Sequence, residues 1–312
     1  MSSAPQFRIP FPRKRLLGAW LNLPVRMRLH TLARRYHARH TRQLVVFSHD
    51  HIADSINLDG VYEGEFLTAL MAWLKALNVN LSDATALDIG ANIGNHSLFF
   101  SDYVKHVHAF EPNALTYKVL SINASLVSNV TPHNFGLSNH TGEATLHINP
   151  ENIGYSSITP ALKVAQHSAS ATIQLKSLDE ALSASVGTIK LLKIDVEGHE
   201  PEVIAGAAST IRQHAPIILF EQHTGDFVNG TSPAIQRLQS LGYAQFAIID
   251  RKPSSNGKRL LKLVSAAVNL LKGPSMEVTL VTTFTPGFYP FIVALPGWLK
   301  DAANTPAIPP AQ

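Results

Sequence analysis

Cysteine is missing from this 312-residue chain. Its absence excludes disulfide bonds, thiolate zinc sites and cysteine nucleophiles, although it does not decide the cellular compartment. Long hydrophobic runs are missing as well, because no apolar segment approaches the ~18–20 residues that a helix needs to span a bilayer. At 45% hydrophobic content, the chain can bury one large core, or one core with an extension.

Acidic residues are absent from positions 1–49, which carry ten lysines and arginines, and Asp50 is the first acid. The remaining 263 residues hold 16 basic and 22 acidic residues, so the body of the protein is mildly acidic at −6. We therefore predict a basic helical extension over residues 1–48 and a folded domain over residues 49–300. The Pro/Ala-rich tail, residues 301–312, is expected to be disordered.

The basic extension is expected to form two short helices between Arg13 and Arg42, broken near Pro24. In the second helix four apolar residues recur at helical spacing among arginines: Val25, Leu29, Leu32 and Tyr36. Such a helix can pack its stripe on the body, lie on an anionic membrane or nucleic acid, or serve in targeting. The sequence leaves these interpretations open.

A glycine turn follows a predicted buried strand at Thr85–Ile89. Its pattern is D-x-G-x-N-x-G, formed by Asp88, Gly90, Asn92 and Gly94. A strand, a turn and a helix start form the crevice where α/β proteins bind nucleotide-like ligands, and glycine lets the backbone approach such a ligand. Asn92 stands where a dinucleotide fingerprint needs glycine, so an NAD-dependent oxidoreductase is disfavoured. A carboxylate before the first glycine suits a ligand with a cationic amino-acid portion, such as S-adenosylmethionine.

Alternating apolar strands and amphipathic helices predict an α/β fold with one doubly wound sheet. Further strands are expected at His106–Phe110, Val130–Leu137, Ile189–Val196, Pro216–Phe220, Tyr243–Ile249 and Tyr289–Leu295. Residues 251–287 interrupt the rhythm and are read as an insertion that either decorates the surface or touches substrate or lipid.

The segment Val45–Asn57 is expected to be extended, and it contains His49, Asp50 and His51. A metal site there is disfavoured because neighbours on a strand point to opposite faces. The spacing of Leu115, Val119, Ile122 and Leu126 predicts a helix after the second sheet strand.

Three acids fall at predicted strand ends: Asp88, Glu111 and Asp195. Because the carboxyl ends of parallel strands line one edge of a doubly wound sheet, all three should converge on one crevice. Glu111 lies 23 residues beyond Asp88, where an acid can accept both hydroxyls of a ribose.

Four motifs together resemble the FkbM-type S-adenosylmethionine-dependent methyltransferases: LDIGANIGNHSLFF from Leu87, HAFEPN, FGLSN from Phe135, and KIDVEGHE from Lys193. The resemblance covers about Gly60–Tyr243. It implies a Rossmann-like class I methyltransferase fold with a mostly parallel, doubly wound, seven-stranded sheet whose last strand is antiparallel. It also implies O-methylation of a sugar, polysaccharide or natural product.

The same resemblance assigns the cofactor contacts. Asp88, Gly90 and Gly94, with Asn92 in the same turn, would hold the methionine part of S-adenosylmethionine. Glu111 would hold its ribose, and the segment Asn134–Leu137, which includes Gly136, would flank its adenine.

The DVEGHE segment supplies the candidate catalytic residues. Asp195 is expected beside the reacting methyl, with Glu197 or His199 as the general base that a poorly nucleophilic hydroxyl needs. The alternative is that Glu197 and Glu200 only cap the following helix.

Other polar residues near strand ends are weaker candidates. His96 and His223 can each be a base or a substrate contact, but a lone histidine is more often a satisfied polar group. Asp195, His199 and Glu221 can together bind a divalent cation, yet their spacing does not require one, so no metal is predicted.

We therefore expect a cytoplasmic enzyme acting on a small-molecule or glycan acceptor, peripheral to an anionic membrane if the extension binds one. Nucleic acid is disfavoured, since the D/N-P-P-aromatic loop of adenine methyltransferases and a cysteine nucleophile are both missing. RNA ribose 2′-O-methylation and a non-enzymatic membrane-binding module remain as alternatives.

Overall fold

The computed structural model describes residues 18, 20–39, 41–48, 50–148, 156–158, 169–182, 186–251 and 276–299. Most of the expected first helix of the extension, most of the insertion and the Pro/Ala-rich tail that is expected to be disordered lie outside these residues. Among the described residues, no helix combines the length and the apolar character that a membrane crossing requires.

Within the described residues from 23 to 84, three helices precede the first strand: α1 (Leu23–Ala38), α2 (His51–Asp59) and α3 (Gly64–Ala76). The predicted break near Pro24 is confirmed, because the chain is helical at Trp20 and Leu21, forms a turn at Asn22 and starts α1 at Leu23. Pro24 lies in the first turn of α1, where its missing N–H has no helical partner to lose. Only Leu32 of α1 is buried. Its neighbour Tyr36 donates a hydrogen bond to the carbonyl oxygen of Leu58 on α2.

The predicted extended structure of Val45–Asn57 is wrong from His51 onward. Asp50 is a helix N-cap whose Oδ1 accepts a hydrogen bond from the Ile52 amide at 3.1 Å. This cap starts α2, and the buried side chains of Ile52 and Ile56 complete an apolar helical face.

The remaining elements alternate along the chain. The strands are β1 (Thr85–Ile89), β2 (His106–Phe110), β3 (Val130–His133), β4 (Gly136–Leu137), β5 (Gly142–Ile148), β6 (Ser156–Ser157), β7 (Ala169–Lys176), β8 (Ile189–Ile194), β9 (Ile217–Gln222), β10 (Gln245–Arg251), β11 (Met276–Val281) and β12 (Tyr289–Leu295). The helices are α4 (Asn95–Phe100), α5 (Ala114–Ala124), α6 (Leu178–Ala181), α7 (Glu200–Gly206), α8 (Ala208–His214) and α9 (Pro233–Ser240).

The main sheet has the order β11-β10-β12-β9-β8-β1-β2-β3. Strands β3, β2, β1, β8 and β9 are parallel, and β12 runs antiparallel between β9 and β10. The mostly parallel sheet with an antiparallel last strand is confirmed. The sheet has eight strands instead of seven, because β11 pairs with β10 from Val281 to Met276.

The extra strand lies inside the segment 251–287 that the sequence marks as an insertion. Met276, Val278 and Leu280 alternate along β11 and pack against the core, so this part of the insertion extends the sheet.

Helices cover both faces of the sheet, as a doubly wound fold requires. On one face α7, α8 and α9 pack Val203, Ile211 and Leu238 against strands β8 and β9. On the other face α3 packs Phe66, Leu70 and Trp73, among others. Burying each of these large side chains contributes roughly 1.5–3 kcal/mol relative to exposure.

Helix α5 is present as predicted, but its buried face is not the predicted one. Leu115, Ile122 and Leu126 are exposed, whereas the buried side chains are Thr116, Leu120, Asn123 and Ala124. Asn123 explains the difference. Its amide group hydrogen-bonds both the amide and the carbonyl of Val45 and the carbonyl of Ile93, so a polar residue holds the inner face.

Candidate functional site

A cavity of about 450 Å³ opens at the carboxyl ends of the central strands. Segments after β1, β2, β8 and β9 line it, with contributions from the loop before α3 and the start of β12. This is the sheet edge at which the sequence places its strand-end acids. Of these, Glu111 and Asp195 line the cavity and Asp88 does not.

Gly90 and Gly94 both adopt left-handed backbone conformations, with φ of +75° and +91°. A Cβ on Gly90 would lie 1.8 Å from the carbonyl oxygen of Asp195, so glycine is needed for the approach of the neighbouring strand as well as for a ligand. A Cβ on Gly94 would lie 2.7 Å from Cδ1 of Leu120. Gly90 lines the cavity, whereas Gly94 instead allows α4 to pack against α5.

Asp88 is fully buried beneath the turn. Its Oδ2 accepts a hydrogen bond from Ser97 Oγ at 2.6 Å, and its Oδ1 lies 3.1 Å from Lys193 Nζ. The carboxylate therefore anchors the turn to α4 and β8 and does not face the cavity.

Glu111 lies at the end of β2, with both carboxylate oxygens held by backbone amides. Oε2 accepts from the amide of Asn92 at 3.1 Å, and Oε1 accepts from the amide of Asn113 at 2.8 Å. Burial raises the pKa of Glu111 to about 7, and these two hydrogen bonds oppose the rise. Asn92 itself adopts a φ of +50° and lines the cavity beside Glu111.

The segment Asn134–Leu137 is divided between two roles. Gly136 and Leu137 line the cavity. Asn134 is exposed and lies outside the lining, and its Nδ2 donates to the carbonyl oxygens of Glu111 and Pro112 at 2.9 and 3.2 Å. Asn134 therefore braces the turn that carries Glu111.

Asp195 lies at the end of β8 and lines the cavity. Its Oδ2 lies 3.2 Å from Nζ of the buried Lys193. Burial favours the neutral acid, but the charges of Lys193 and His96, together with hydrogen bonds to Lys193 and Glu221, lower the pKa of Asp195 below its usual range. The sequence arguments missed Lys193. The available signal is a lysine between apolar residues of a strand, two residues before a strand-end acid.

Glu197, Glu221 and His223 form one cluster on the cavity wall. His223 Nε2 lies 3.4 Å from Glu197 Oε2 and 3.5 Å from Glu221 Oε2. One imidazolium can balance only one of two carboxylates. Hydrogen bonding to the two glutamates raises the pKa of His223 to about 10, whereas burial and neighbouring acids raise the pKa of Glu221 to about 8.

One ligand atom from each member of this cluster lies within 4.8 Å of the others, a spacing that can accept a divalent cation. Two of the three residues, Glu197 and His223, differ from those that the sequence suggested for a metal. Glu221 and His223 come from the end of β9 and join Glu197 only because β9 lies next to β8.

His199 lines the cavity, but its Nε2 is hydrogen-bonded to Ser138 Oγ at 2.9 Å. Burial lowers its pKa. Glu200 is buried, and its Oε1 accepts from the amides of Val196 and Gly198, both at 3.2 Å. Glu200 lies in the first turn of α7, but both amides belong to the preceding loop, so Glu200 stabilises the loop that leads into the helix.

The loop between α2 and α3 contributes residues that the sequence does not predict. Tyr62 and Glu63 line the cavity, and burial raises the pKa of the Tyr62 hydroxyl. Asn95 holds this loop, because its Oδ1 accepts from the Tyr62 amide at 3.0 Å and its Nδ2 donates to the Tyr62 carbonyl at 2.9 Å. His96 is buried outside the lining, with Nε2 3.0 Å from Glu63 Oε2.

The family model of the methyltransferase FkbM domain matches residues 88–244. This span contains the turn after β1, Glu111, the DVEGHE segment and the end of β9.

Two curated relatives match over 145 residues each. The hexuronic acid methyltransferase AglP of Haloferax volcanii is 33% identical over 46% of this chain and 57% of its own length. Methyltransferase 1 of Beauveria bassiana is 28% identical over 40% of this chain and 58% of its own length. The chain thus matches less than two thirds of the length of either relative. Among solved structures, the methyltransferase FkbM of Methylobacillus flagellatus KT shares 17% identity at a TM-score of 0.35, over 64% of this chain and 48% of that chain.

Proposed function

The chain belongs to the FkbM methyltransferase family, and from this premise we propose that it methylates a hydroxyl group of a sugar or a related hydroxylated small molecule. S-adenosylmethionine is the methyl donor, and family membership removes the oxidoreductase alternative. The observation that carries the proposal is the cavity itself, which brings Glu111 together with Asp195 and the cluster of Glu197, Glu221 and His223.

The residues present fit the donor. Glu111 is a buried carboxylate whose oxygens can accept from ribose hydroxyls, since each carboxylate oxygen has two lone pairs and now accepts one backbone amide. Gly136 and Leu137 offer an apolar surface for the adenine ring of the donor. Asp195, ionised beside Lys193, offers a negative charge to the cationic end of the molecule.

When bound, the donor supplies an electrophilic methyl group on a sulfonium. The chain has to place a hydroxyl in line with it, exclude water and remove a proton. Glu197 and Glu221 are the carboxylates that line the cavity beside Asp195. A base with a pKa near the working pH is the most effective proton acceptor, and the pKa of Glu221 is about 8.

We assign proton removal to the cluster of Glu197, Glu221 and His223, and His199 is the weaker choice. The Nε2 atom of His199 already makes its hydrogen bond with Ser138. In the cluster, His223 stabilises one carboxylate as an anion and leaves the other to accept a proton.

The chemical class of the acceptor is the more specific part of the proposal. The relative AglP is by name a hexuronic acid methyltransferase, which supports a sugar. The described lining carries the carboxyl groups of Glu63, Glu111, Asp195, Glu197 and Glu221, and no lysine or arginine. A neutral sugar suits this wall better than a uronic acid, because a further carboxylate would meet like charges.

A methyl-transfer screen tests the assignment. The protein is incubated with S-adenosylmethionine labelled in its methyl group and with panels of neutral hexosides, hexuronic acids and RNA, and products are analysed by mass spectrometry and NMR. Methyl ethers of neutral sugars are expected, and they should be lost in Asp195→Asn. Labelled uronates would overturn the neutral-sugar assignment. Labelled RNA, or methylation at nitrogen or carbon, would overturn O-methylation of a sugar.

The basic extension supports a second proposal, that α1 and the residues before it lie on an anionic membrane surface, with the enzyme in the cytoplasm. Between Trp20 and Leu29 six large apolar side chains are exposed: Trp20, Leu21, Leu23, Val25, Met27 and Leu29. Exposed arginines lie among and beyond them. Arginines attract anionic headgroups and apolar side chains enter the interface, whereas RNA would leave the apolar side chains exposed to water.

A further inference from the structure

Lys193 is the one lysine on β8 whose side chain is almost completely buried, with 1% of its surface exposed. Its ammonium has three N–H donors, and three oxygens surround it. They are Asp88 Oδ1 at 3.1 Å, Asp195 Oδ2 at 3.2 Å and the carbonyl oxygen of Gly90 at 3.2 Å. Lys193 thus donates a hydrogen bond to Gly90 and forms ion pairs with both carboxylates, and these partners come from both sides of the glycine turn.

Strand geometry brings these groups together. β1 and β8 are parallel neighbours in which Asp88 pairs directly with Lys193. Residues two apart on a strand share a face. Gly90, two residues after Asp88, and Asp195, two residues after Lys193, therefore lie on the same face of the sheet as this pair. Asp195 is also tied to β1 through its amide, which donates to the Ile89 carbonyl at 3.0 Å.

The charges of this group do not cancel. Asp88 and Asp195 contribute two carboxylates, and Lys193 contributes one ammonium. Asp88 is buried with no exposed surface, whereas 30% of the Asp195 side chain is exposed. The excess negative charge is therefore available at Asp195, on the cavity side.

We propose that Lys193 is a positioning residue for the methyl donor: from outside the cavity it holds the Asp195 carboxylate against the glycine turn, as an anion that attracts the cationic end of the donor. This inference rests on the donor site and not on the identity of the acceptor. Lys193 touches neither ligand in this arrangement and acts through Asp195.

A purely structural role is the competing explanation, because Lys193 also neutralises the buried Asp88. Removing the lysine alone would leave that carboxylate without its cation and is expected to destabilise the fold. The decisive variant is therefore Asp88→Asn/Lys193→Met. It removes both charges of the buried ion pair at once and leaves Asp195 in place without the ammonium of Lys193. Replacing both members of such a pair is tolerated far better than removing one.

The readout is the dissociation constant of S-adenosylmethionine, measured by isothermal titration calorimetry from pH 5.5 to 8.5. Other titratable groups surround Asp195 or share its wall, and they act in every variant: His96, Tyr62, Glu197, Glu221 and His223. The comparison is therefore between variants at each pH. Thermal unfolding shows that each variant is folded.

Asp88→Asn/Lys193→Met is expected to bind the donor at least about tenfold more weakly at neutral pH. Its affinity for the donor should then decrease further as the pH is lowered. The midpoint of this decrease should lie at least one pH unit higher than the midpoint of any such decrease in the wild type. One pH unit corresponds to a tenfold change in the ionisation equilibrium. Adding Asp195→Asn to this variant should abolish the added pH dependence.

Ser97→Ala is the matched control, since it removes a contact of Asp88 on the side away from Asp195. It is expected to lower thermal stability and leave the pH dependence of donor binding as in the wild type. Wild-type affinity and pH dependence in Asp88→Asn/Lys193→Met would overturn the inference and leave Lys193 a structural counter-ion. Failure of the wild type to bind S-adenosylmethionine would instead overturn the donor site.

Discussion

At the scale of single residues, the site depends on carboxylates whose surroundings differ. Glu111 is held by two backbone amides, Asp195 by an ammonium, and Glu221 by an imidazole that it shares with Glu197. Each environment sets a different proton affinity, so similar acids can bind a ligand, present a charge or accept a proton.

Replacing Glu111 by alanine should weaken the binding of S-adenosylmethionine by at least about tenfold, since a hydrogen bond to a charged group contributes about 1.5–3 kcal/mol and 1.4 kcal/mol is tenfold. Isothermal titration calorimetry measures the loss. Glu111→Gln keeps the size of the side chain, and its affinity for S-adenosylmethionine should lie between those of the wild type and the alanine variant. Unchanged affinity in Glu111→Ala, with a folded protein, would contradict the ribose assignment.

Methyl transfer should increase with pH up to about 8, because Glu221 accepts a proton only when ionised and its pKa is about 8. The sign follows from the raised pKa: below it the carboxyl group carries its proton and cannot act as a base. A pH–rate profile with the acceptor found in the screen measures this.

The matched variants for this profile are Glu221→Gln and Glu143→Gln. In Glu221→Gln the rate of methyl transfer should no longer rise with pH, and it should be at least about tenfold lower than in the wild type. Glu143 is exposed on β5 and hydrogen-bonds Gln174, so its variant should keep the wild-type profile. A profile unaffected by Glu221→Gln would assign the rise to another group.

At the scale of elements, the site depends on how closely strands and helices approach one another. The turn after β1 passes so near the end of β8 that only hydrogen fits at the α-carbon of Gly90. The side chain of Asn123 connects α5 to two segments that are far from it in sequence.

Gly90→Ala is expected to lower the free energy of unfolding by about 3 kcal/mol or more. The added Cβ would lie 1.8 Å from the Asp195 carbonyl oxygen, and alanine is strained at a φ of +75°. Thermal or denaturant unfolding checks this value. Gly225→Ala is the matched control, because its Cβ would meet nothing within 4 Å and it should change stability by less than about 0.5 kcal/mol.

Asn123→Ala should release the segment before α2 from the body of the protein. Asn123 is fully buried and makes three hydrogen bonds at 2.7–2.9 Å, each contributing about 1 kcal/mol. Limited proteolysis should cut residues 41–48 faster in the variant. Ser125→Ala, at the exposed end of the same helix, should leave the rate of cleavage unchanged.

At the scale of the whole molecule, the charge is divided between a basic extension and an acidic body. The extension is anchored to the body by Leu32 and Tyr36, and its first turns are exposed. The α/β body carries the cavity, so surface attachment and chemistry are assigned to separate parts of the chain.

Vesicle co-sedimentation tests the attachment of the extension. The wild type should bind vesicles containing anionic lipid and not vesicles of phosphatidylcholine alone, since each arginine near an anionic surface contributes about 1 kcal/mol. Trp20→Ala/Leu21→Ala/Met27→Ala should reduce binding at least about tenfold. Leu115→Ala/Ile122→Ala/Leu126→Ala removes exposed apolar side chains from α5 and from the turn after it, and should bind as the wild type does. Equal loss in both variants, or RNA binding without vesicle binding, would contradict the proposal.

Local sequence was sufficient for the strands β1, β2, β3, β8, β9, β10 and β12 of the main sheet, for the glycine turn and for the strand-end positions of Glu111 and Asp195. These features follow from the periodicity of apolar residues and from conformations that only certain residues adopt, and both act between near neighbours in the chain.

Tertiary structure alone decided which groups face one another. Lys193 reaches Gly90 across 103 positions, and Glu197 meets Glu221 and His223 because β8 and β9 are adjacent in the sheet. It also turned the apolar stripe of α5 outward, where Asn123 took the inner face. Contacts of this kind depend on strand order and packing, so the residues that determine the charge of the site cannot be identified from spacing along the chain.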